Sequence, residues 1–251
     1  MKKIIFTALT TFMLTNMANA QKIIAHRGYW DTENNAKNSI KSLKSAQEIS
    51  AYGSEFDVLI SADNVLMVNH DDHYQGHTIE TTNSSLLKTL KLANNENMPT
   101  LEEYFEQGKK NKKVKLIFEL KPHSSKENED RAVKKAIEII KKHKVEKQVE
   151  IISFSKNICD EFKKLAPKFH VSYLAGDLSP QEVKARNWNG IDYHYSVFQK
   201  NPTWVKEAKD LGLLVNVWTV NDPKVMQEMI DMKADYITTD KPLILKEILT
   251  K

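Results

Sequence analysis

Between Lys22 and Leu249 the chain repeats one alternation eight times, an apolar run of strand length followed by a stretch with helical amphipathic spacing. Such an order is met by parallel strands joined through helices that cover the sheet. The strand-length runs are Lys22–His26, Ser54–Leu59, Lys115–Leu120, Glu150–Phe154, His170–Ala175, Gly190–Tyr195, Leu213–Val220 and Asp235–Thr239. Helical patterns lie at Asn38–Ile49, Thr100–Lys110, Glu129–Lys142, Asn157–Leu165, Thr203–Leu211 and Pro223–Met232, with shorter ones at Pro180–Arg186 and Leu243–Leu249. Ser179-Pro180 and Asp222-Pro223 each read as a helix cap followed by a first-turn proline. Eight strands with crossover helices in about 230 residues predict an α/β fold, a single (β/α)8 TIM barrel. An open doubly wound sheet is the alternative. The count of eight, without an early glycine-rich phosphate loop, favours the barrel.

One segment breaks the alternation. Between Ile60 and Met98 only a short extra strand, Val65–Asn69, is followed by the polar stretch Asp71–Asn83. The barrel is therefore expected to carry an insertion after strand two, where loops at the C-terminal ends of strands build active sites.

The first 20 residues read as a secretory signal peptide. Met1-Lys2-Lys3 is basic, Ile4 to Met17 is largely apolar, and Ala18-Asn19-Ala20 offers a small-x-small cleavage site. A membrane anchor needs a longer apolar run. Cleavage after Ala20 is expected to leave residues 21–251 as one domain, periplasmic or secreted, with no stable membrane insertion. Loss of Lys2 and Lys3 lowers the formal charge from +4 to +2, which gives no electrostatic case for a nucleic-acid partner. The basic run Lys109–Lys115 reads as a solvated face. Cys159 is the sole cysteine, so an intramolecular disulfide is excluded and stability must come from the core.

The residues with chemistry fall where a barrel has its mouth. His26-Arg27-Gly28 ends the first strand, pairing an imidazole that titrates near neutrality with a guanidinium suited to phosphate. Glu55 and Asp57 are two apart on strand two and so share a face, while Phe56 and Val58 point to the helices. Glu119 and Lys121 repeat that spacing on strand three. Carboxylates converging in a barrel mouth call for positive charge, either a divalent cation with oxygen ligands or a structural network with Lys and Arg. The spacing alone leaves both open. His70 follows the short extra strand, and two histidines suit general acid–base catalysis. His73 and His77 have the spacing of a helical zinc pair, but Gly76 and the polar surroundings argue for a loop.

Taken together, these motifs resemble the glycerophosphodiester phosphodiesterase family of the phospholipase C-like barrels. The resemblance runs from Ile24 to about Pro242. It rests on His26-Arg27-Gly28 with Glu33-Asn34, Glu55-x-Asp57, Val68-Asn69-His70-Asp71, Glu119-Leu120-Lys121, Val217-Trp218-Thr219-Val220-Asn221 and Thr239-Asp240-Lys241-Pro242. It implies a TIM barrel that hydrolyses small-molecule glycerophosphodiesters to glycerol 3-phosphate and an alcohol, using one divalent ion, Mg2+ or Ca2+. It further implies that His26 and His70 are catalytic and that Glu55, Asp57 and Glu119 hold the metal. Arg27 and Lys121 match phosphate-contacting cations, Glu33 an acid following the first motif, and Trp218 a pocket aromatic. Tyr29, Trp30 and Phe154 are further pocket candidates, with core or surface roles the simpler reading for each.

The chain also departs from the family pattern. Ser61-Ala62-Asp63-Asn64 replaces a Thr and an Asp-Gly turn, with Asn able to take the left-handed conformation. Thr32 stands where a proline is usual. Asp72-His73-Tyr74-Gln75-Gly76 replaces the common continuation after His70-Asp71, which bears on the alcohol side of the pocket. The related activities left open are those of a lysophospholipase D, a phosphatidylinositol phospholipase C and a non-catalytic barrel that binds phosphorylated ligands. Head group and oligomeric state are left open too.

Overall fold

In the computed structural model, which describes residues 21–250, the alternation closes into a ring. The strands are β1 (Lys22–Ala25), β2 (Gly53–Ile60), β3 (Leu66–Val68), β4 (His73–Tyr74), β5 (His77–Thr78), β6 (Lys115–Leu120), β7 (Val149–Ser153), β8 (Val171–Tyr173), β9 (Gly190–His194), β10 (Leu214–Trp218) and β11 (Tyr236–Thr239). Eight of them pair in parallel in the order β1-β2-β6-β7-β8-β9-β10-β11, and β11 returns to β1. The fold is a (β/α)8 TIM barrel. The helices are α1 (Ile40–Glu48), α2 (Ser84–Leu87), α3 (Leu101–Gly108), α4 (Lys126–His143), α5 (Lys156–Leu165), α6 (Pro180–Ala185), α7 (Tyr195–Lys200), α8 (Trp204–Asp210), α9 (Pro223–Asp231) and α10 (Pro242–Leu249).

The alternation of side chains along β2 and β6 sorts the barrel into two environments. Phe56, Val58, Leu116, Phe118 and Leu120 face outward and pack with Leu43 of α1, Tyr104 and Phe105 of α3 and Ala132, Val133 and Ala136 of α4. Burying such side chains supplies most of the driving force, about 1.5–3 kcal/mol for each large one. Inside the barrel a smaller apolar set, Ile24, Ile117, Ile152, Leu174 and Tyr236, shares the space with polar groups. Helix starts follow the sequence signals. Ser179 and Asp222 cap α6 and α9 ahead of their prolines, and Thr100 forms a capping box with Glu103 at α3.

Differences from the sequence reading cluster at the barrel mouth. Tyr195 begins α7 rather than ending a strand, because the His194 side chain accepts from Ser196 N and turns the chain into that helix. In the insertion, β3 runs antiparallel to β2, and β4 and β5 form a small hairpin that carries His73 and His77. These two histidines are therefore not a helical pair. Ala36, Leu59, Met67, Ile79, Leu87, Leu92 and Met98 give the insertion a core of its own. Asn64 adopts φ +65°, the left-handed turn expected of it. Cys159 is a buried residue of α5. The signal-peptide segment, residues 1–20, lies outside the described residues. Among the described residues no helix is long and apolar enough to cross a membrane.

Candidate active site

The first motif is a tight turn built against the start of α1. Arg27 has φ +55° and Gly28 φ +77°. A Cβ on Gly28 would fall 2.3 Å from Ser42 Oγ, so only glycine fits between the turn and the helix. The Arg27 carbonyl accepts from Asn38 N and Ser42 Oγ, and Arg27 N donates to Glu55 Oε2 at 2.7 Å. This geometry aims His26 and the Arg27 guanidinium into the same cavity.

Three carboxylates meet there. Asp57 of β2 lies beside Glu119 of β6 in the sheet register, and Glu55 shares Asp57's face one pleat below. One oxygen of each lies within 4.8 Å of the others, and all three side chains are buried. Lys121 Nζ lies 2.9 Å from Glu119 Oε1 and 3.4 Å from Asp57 Oδ1, and Arg27 Nε is 3.5 Å from Asp57 Oδ2. Asn38 clamps Asp57 from outside, donating to Oδ2 at 2.9 Å and accepting from Asp57 N at 3.2 Å.

Electrostatics separates the three acids. Burial opposes ionisation of Asp57, but Lys121, His70, Arg27 and the Asn38 bond outweigh it and hold the carboxyl below its ordinary range. Burial and then the charge of Asp57 push both Glu55 and Glu119 above theirs. Glu55 Oε1 is buried with no hydrogen-bond partner among the described residues. Three carboxylates against two cations, with a buried Glu55 oxygen left without a hydrogen bond, fit one hard divalent cation with oxygen ligands.

The two histidines flank this cluster, each with Nδ1 held by an aspartate. His26 Nδ1 lies 2.8 Å from Asp240 Oδ1, and Asp240 also accepts from Trp30 Nε1 at 3.0 Å and Asn221 Nδ2 at 2.7 Å. Burial works against the Asp240 carboxylate, yet these bonds bring its pKa down to about 2. With Asp240 ionised, the proton sits on His26 Nδ1, and Nε2 is left for the cavity. His70 Nδ1 lies 2.6 Å from Asp71 Oδ1. Burial lowers the pKa of His70, with Asp57 pulling the other way.

These groups line one cavity at the barrel mouth. The glycerophosphoryl diester phosphodiesterase family model matches residues 26–244, which span every one of these groups. The chain belongs to that family. A glycerophosphodiester phosphodiesterase of Caldanaerobacter subterraneus subsp. tengcongensis is 31% identical over 248 residues, 91% of this chain and 98% of the relative. A crystal structure of a glycerophosphodiester phosphodiesterase from Parabacteroides distasonis is similar with TM-score 0.91 and 51% identity, covering 92% of this chain and 98% of that one. An Oleispira antarctica phosphodiesterase, solved in complex with the product sn-glycerol-3-phosphate, shares the fold at TM-score 0.82 and 23% identity, over 92% of this chain and 98% of that one. As a glycerophosphodiester phosphodiesterase, the chain is a phosphoric diester hydrolase.

Within this phosphodiesterase the cavity unites His26, Arg27, Glu55, Asp57, His70, Glu119, Lys121 and Trp218. Phe154 joins them, edge-on to Trp218 with ring centroids 5.6 Å apart. Trp30 lines an adjoining groove shared with Arg27 and His70, and Tyr29 packs on the small cluster Ala25, Ala46 and Ala51. Glu33 is not brought in. It is exposed, and its carbonyl accepts from Lys41. The buried contact to the carboxylate cluster from this stretch comes instead from Asn38. Asn38 was not singled out in the sequence, and Asp240 stood there only within the closing Thr239-Asp240-Lys241-Pro242 run, with no role of its own. A signal for Asp240 exists in its place just past the last barrel strand.

Proposed function

We propose that the protein hydrolyses glycerophosphodiesters to sn-glycerol 3-phosphate and an alcohol by acid–base catalysis between His26 and His70 on a metal-assisted phosphate. The observation that carries this reading is the convergence, in one cavity, of two aspartate-held imidazoles, two cations and three buried carboxylates. The relative solved with sn-glycerol-3-phosphate supports the choice of product.

Arg27 Nε is buried and makes no hydrogen bond among the described residues, its ion pair with Asp57 Oδ2 being 3.5 Å long, which leaves a donor available for a phosphate oxygen. Together with Lys121 it offsets charge that grows on the non-bridging oxygens. One imidazole Nε2 takes the proton of the attacking oxygen, from water or from the glycerol's neighbouring hydroxyl. The bond from phosphorus to the alcohol oxygen then breaks, and the other imidazole delivers a proton to that oxygen. If the glycerol hydroxyl attacks, the first product is a cyclic phosphate that water opens with the two roles reversed. Glu55, Asp57 and Glu119 would hold one Mg2+ or Ca2+, which when bound draws charge from a phosphoryl oxygen and acidifies the attacking oxygen.

Residues 1–20 support export of the mature chain, since cleavage after Ala20 frees it one residue before β1. Amino-terminal sequencing of the protein recovered outside the cytoplasm checks this, and an uncleaved Met1 overturns it.

The deciding experiment measures glycerol 3-phosphate release from a panel of glycerophosphodiesters and a lysolipid, with chelator and after restoring Ca2+ or Mg2+. Turnover is expected to stop with chelator, and His26→Ala or His70→Ala to lose roughly 10²–10⁴-fold in kcat. Chelator-insensitive turnover sinks the metal assignment, and full activity in either variant sinks the histidine pair. Turnover of the lysolipid alone favours the lysophospholipase D reading.

A further inference from the structure

The cavity has two unlike sides. Cations, histidines and the carboxylate cluster come from β1, β2, β6 and the insertion, whereas the side from β7 to β10 presents Ile152, Phe154, Leu174 and Trp218. Among the described residues lining that apolar side there is one acid, Asp192 of β9, which is 1% exposed. The chemistry described above does not use it.

Asp192 is held firmly and left incomplete. Its Oδ2 accepts from Asn216 Nδ2 at 3.0 Å, and Asn216 also donates to Thr238 Oγ1 at 2.9 Å, so one ladder crosses β9, β10 and β11. The Trp218 indole donates to the Asp192 carbonyl at 2.8 Å, tying the pocket aromatic to the same residue. Asp192 Oδ1 is buried and has no partner among the described residues. A buried acceptor with nothing to accept is costly, about 1–3 kcal/mol, and rare without a ligand or water to complete it.

We propose that Asp192 Oδ1 accepts a hydrogen bond from the glycerol hydroxyl farthest from phosphorus, and so selects glycerol diesters over diesters that lack this group. The inference rests on the phosphodiesterase reading and deepens it. With phosphate held at Arg27 and Lys121, the three-carbon chain crosses toward the apolar side, where its carbons meet Trp218, Leu174 and Ile152. The terminal hydroxyl then needs one polar partner in otherwise apolar surroundings. Burial pushes the Asp192 carboxyl up to about 7, and a hydroxyl, being donor and acceptor at once, pairs with either protonation state.

The test compares kcat/KM of the purified protein on glycerophosphocholine with that on its analogue carrying hydrogen in place of the terminal hydroxyl. Wild type is expected to prefer the natural diester by ~10²-fold or more, as sites built around a hydroxyl do. Asp192→Ala should lose ~10²-fold on glycerophosphocholine and stay within about 3-fold on the analogue, collapsing the preference. Asp192→Asn keeps an acceptor for Asn216 and should show a partial loss, about 10-fold, confined to the natural diester. If Asp192→Ala does not fold, the wild-type preference and Asp192→Asn still decide. Equal wild-type kcat/KM for the two substrates, or parallel losses on both in the variants, overturns this inference alone. A wild type inactive on both overturns it together with the reading it rests on.

Discussion

Asp240 accepts from an imidazole, an indole and an amide at once, and its ionised form is correspondingly stabilised in the folded protein. Burial pulls its pKa upward and the three bonds pull it further down, to about 2. A folded value below the unfolded one, near 3.9, means stability that is present above pH 4 and lost as pH falls toward 2. The amount is on the order of 2 kcal/mol. The melting temperature of wild type is therefore expected to fall more steeply between pH 4 and pH 2 than that of Asp240→Asn, and parallel slopes would count against the assignment. At neutral pH the same variant should lower kcat by roughly 10²-fold or more, because the proton on His26 Nδ1 is no longer fixed by a carboxylate. Kinetics at saturating substrate checks this. Asp240 directly follows the last barrel strand, a position legible in the sequence, but its partner is not. Its role emerges only when β11 lies beside β1 and brings Asp240 to His26.

Short elements were the hardest to read, and the reason is physical. The long strands β2 and β6 carry several outward-facing apolar residues, so their period and their inward acids were legible, as were the capped starts of α6 and α9. A two-residue strand such as β4 or β5 has no period at all. The six-residue helix α7 is set by the His194 cap rather than by amphipathic spacing, so its first residue read as strand. Glu33 had the residue type expected after the first motif, but the backbone turn at Arg27 and Gly28 is braced by Asn38 and Ser42 of the α1 entry. That brace makes Gly28→Ala costly, through both its φ of +77° and the 2.3 Å approach to Ser42. A loss of about 2 kcal/mol or more is expected in urea denaturation. Gly76→Ala is the matched comparison, with φ +82° and open space around it. It should cost only about 1 kcal/mol, and equal losses at the two sites would overturn the steric account.

Across the whole molecule, the barrel concentrates its electrostatic strain in one place. Glu55 and Glu119 are held above their ordinary pKa by burial and by Asp57, so without a cation the cluster opposes folding. Ca2+ or Mg2+ should accordingly raise the melting temperature of chelator-treated protein, by the equivalent of about 2.7 kcal/mol at one hundred times the dissociation constant. Glu55→Gln should melt higher than wild type in chelator and lose most of the cation-dependent gain. A wild-type melting curve indifferent to both ions refutes the cation site.

The ring is sealed where its first and last strands meet. Lys22 to Ala25 pair with Tyr236 to Thr239, and the His26–Asp240 contact bridges that seam across a sequence separation of 214 residues. Joining such distant segments carries a large loop-closure entropy, which places this pairing among the slow events of folding. Activity during refolding should therefore report on the seam and lag the recovery of helical circular dichroism. A chain still being synthesised cannot form the His26–Asp240 contact until the segment carrying Asp240 has been delivered. On the mechanism proposed above, the hydrolase stays silent until its last strand arrives.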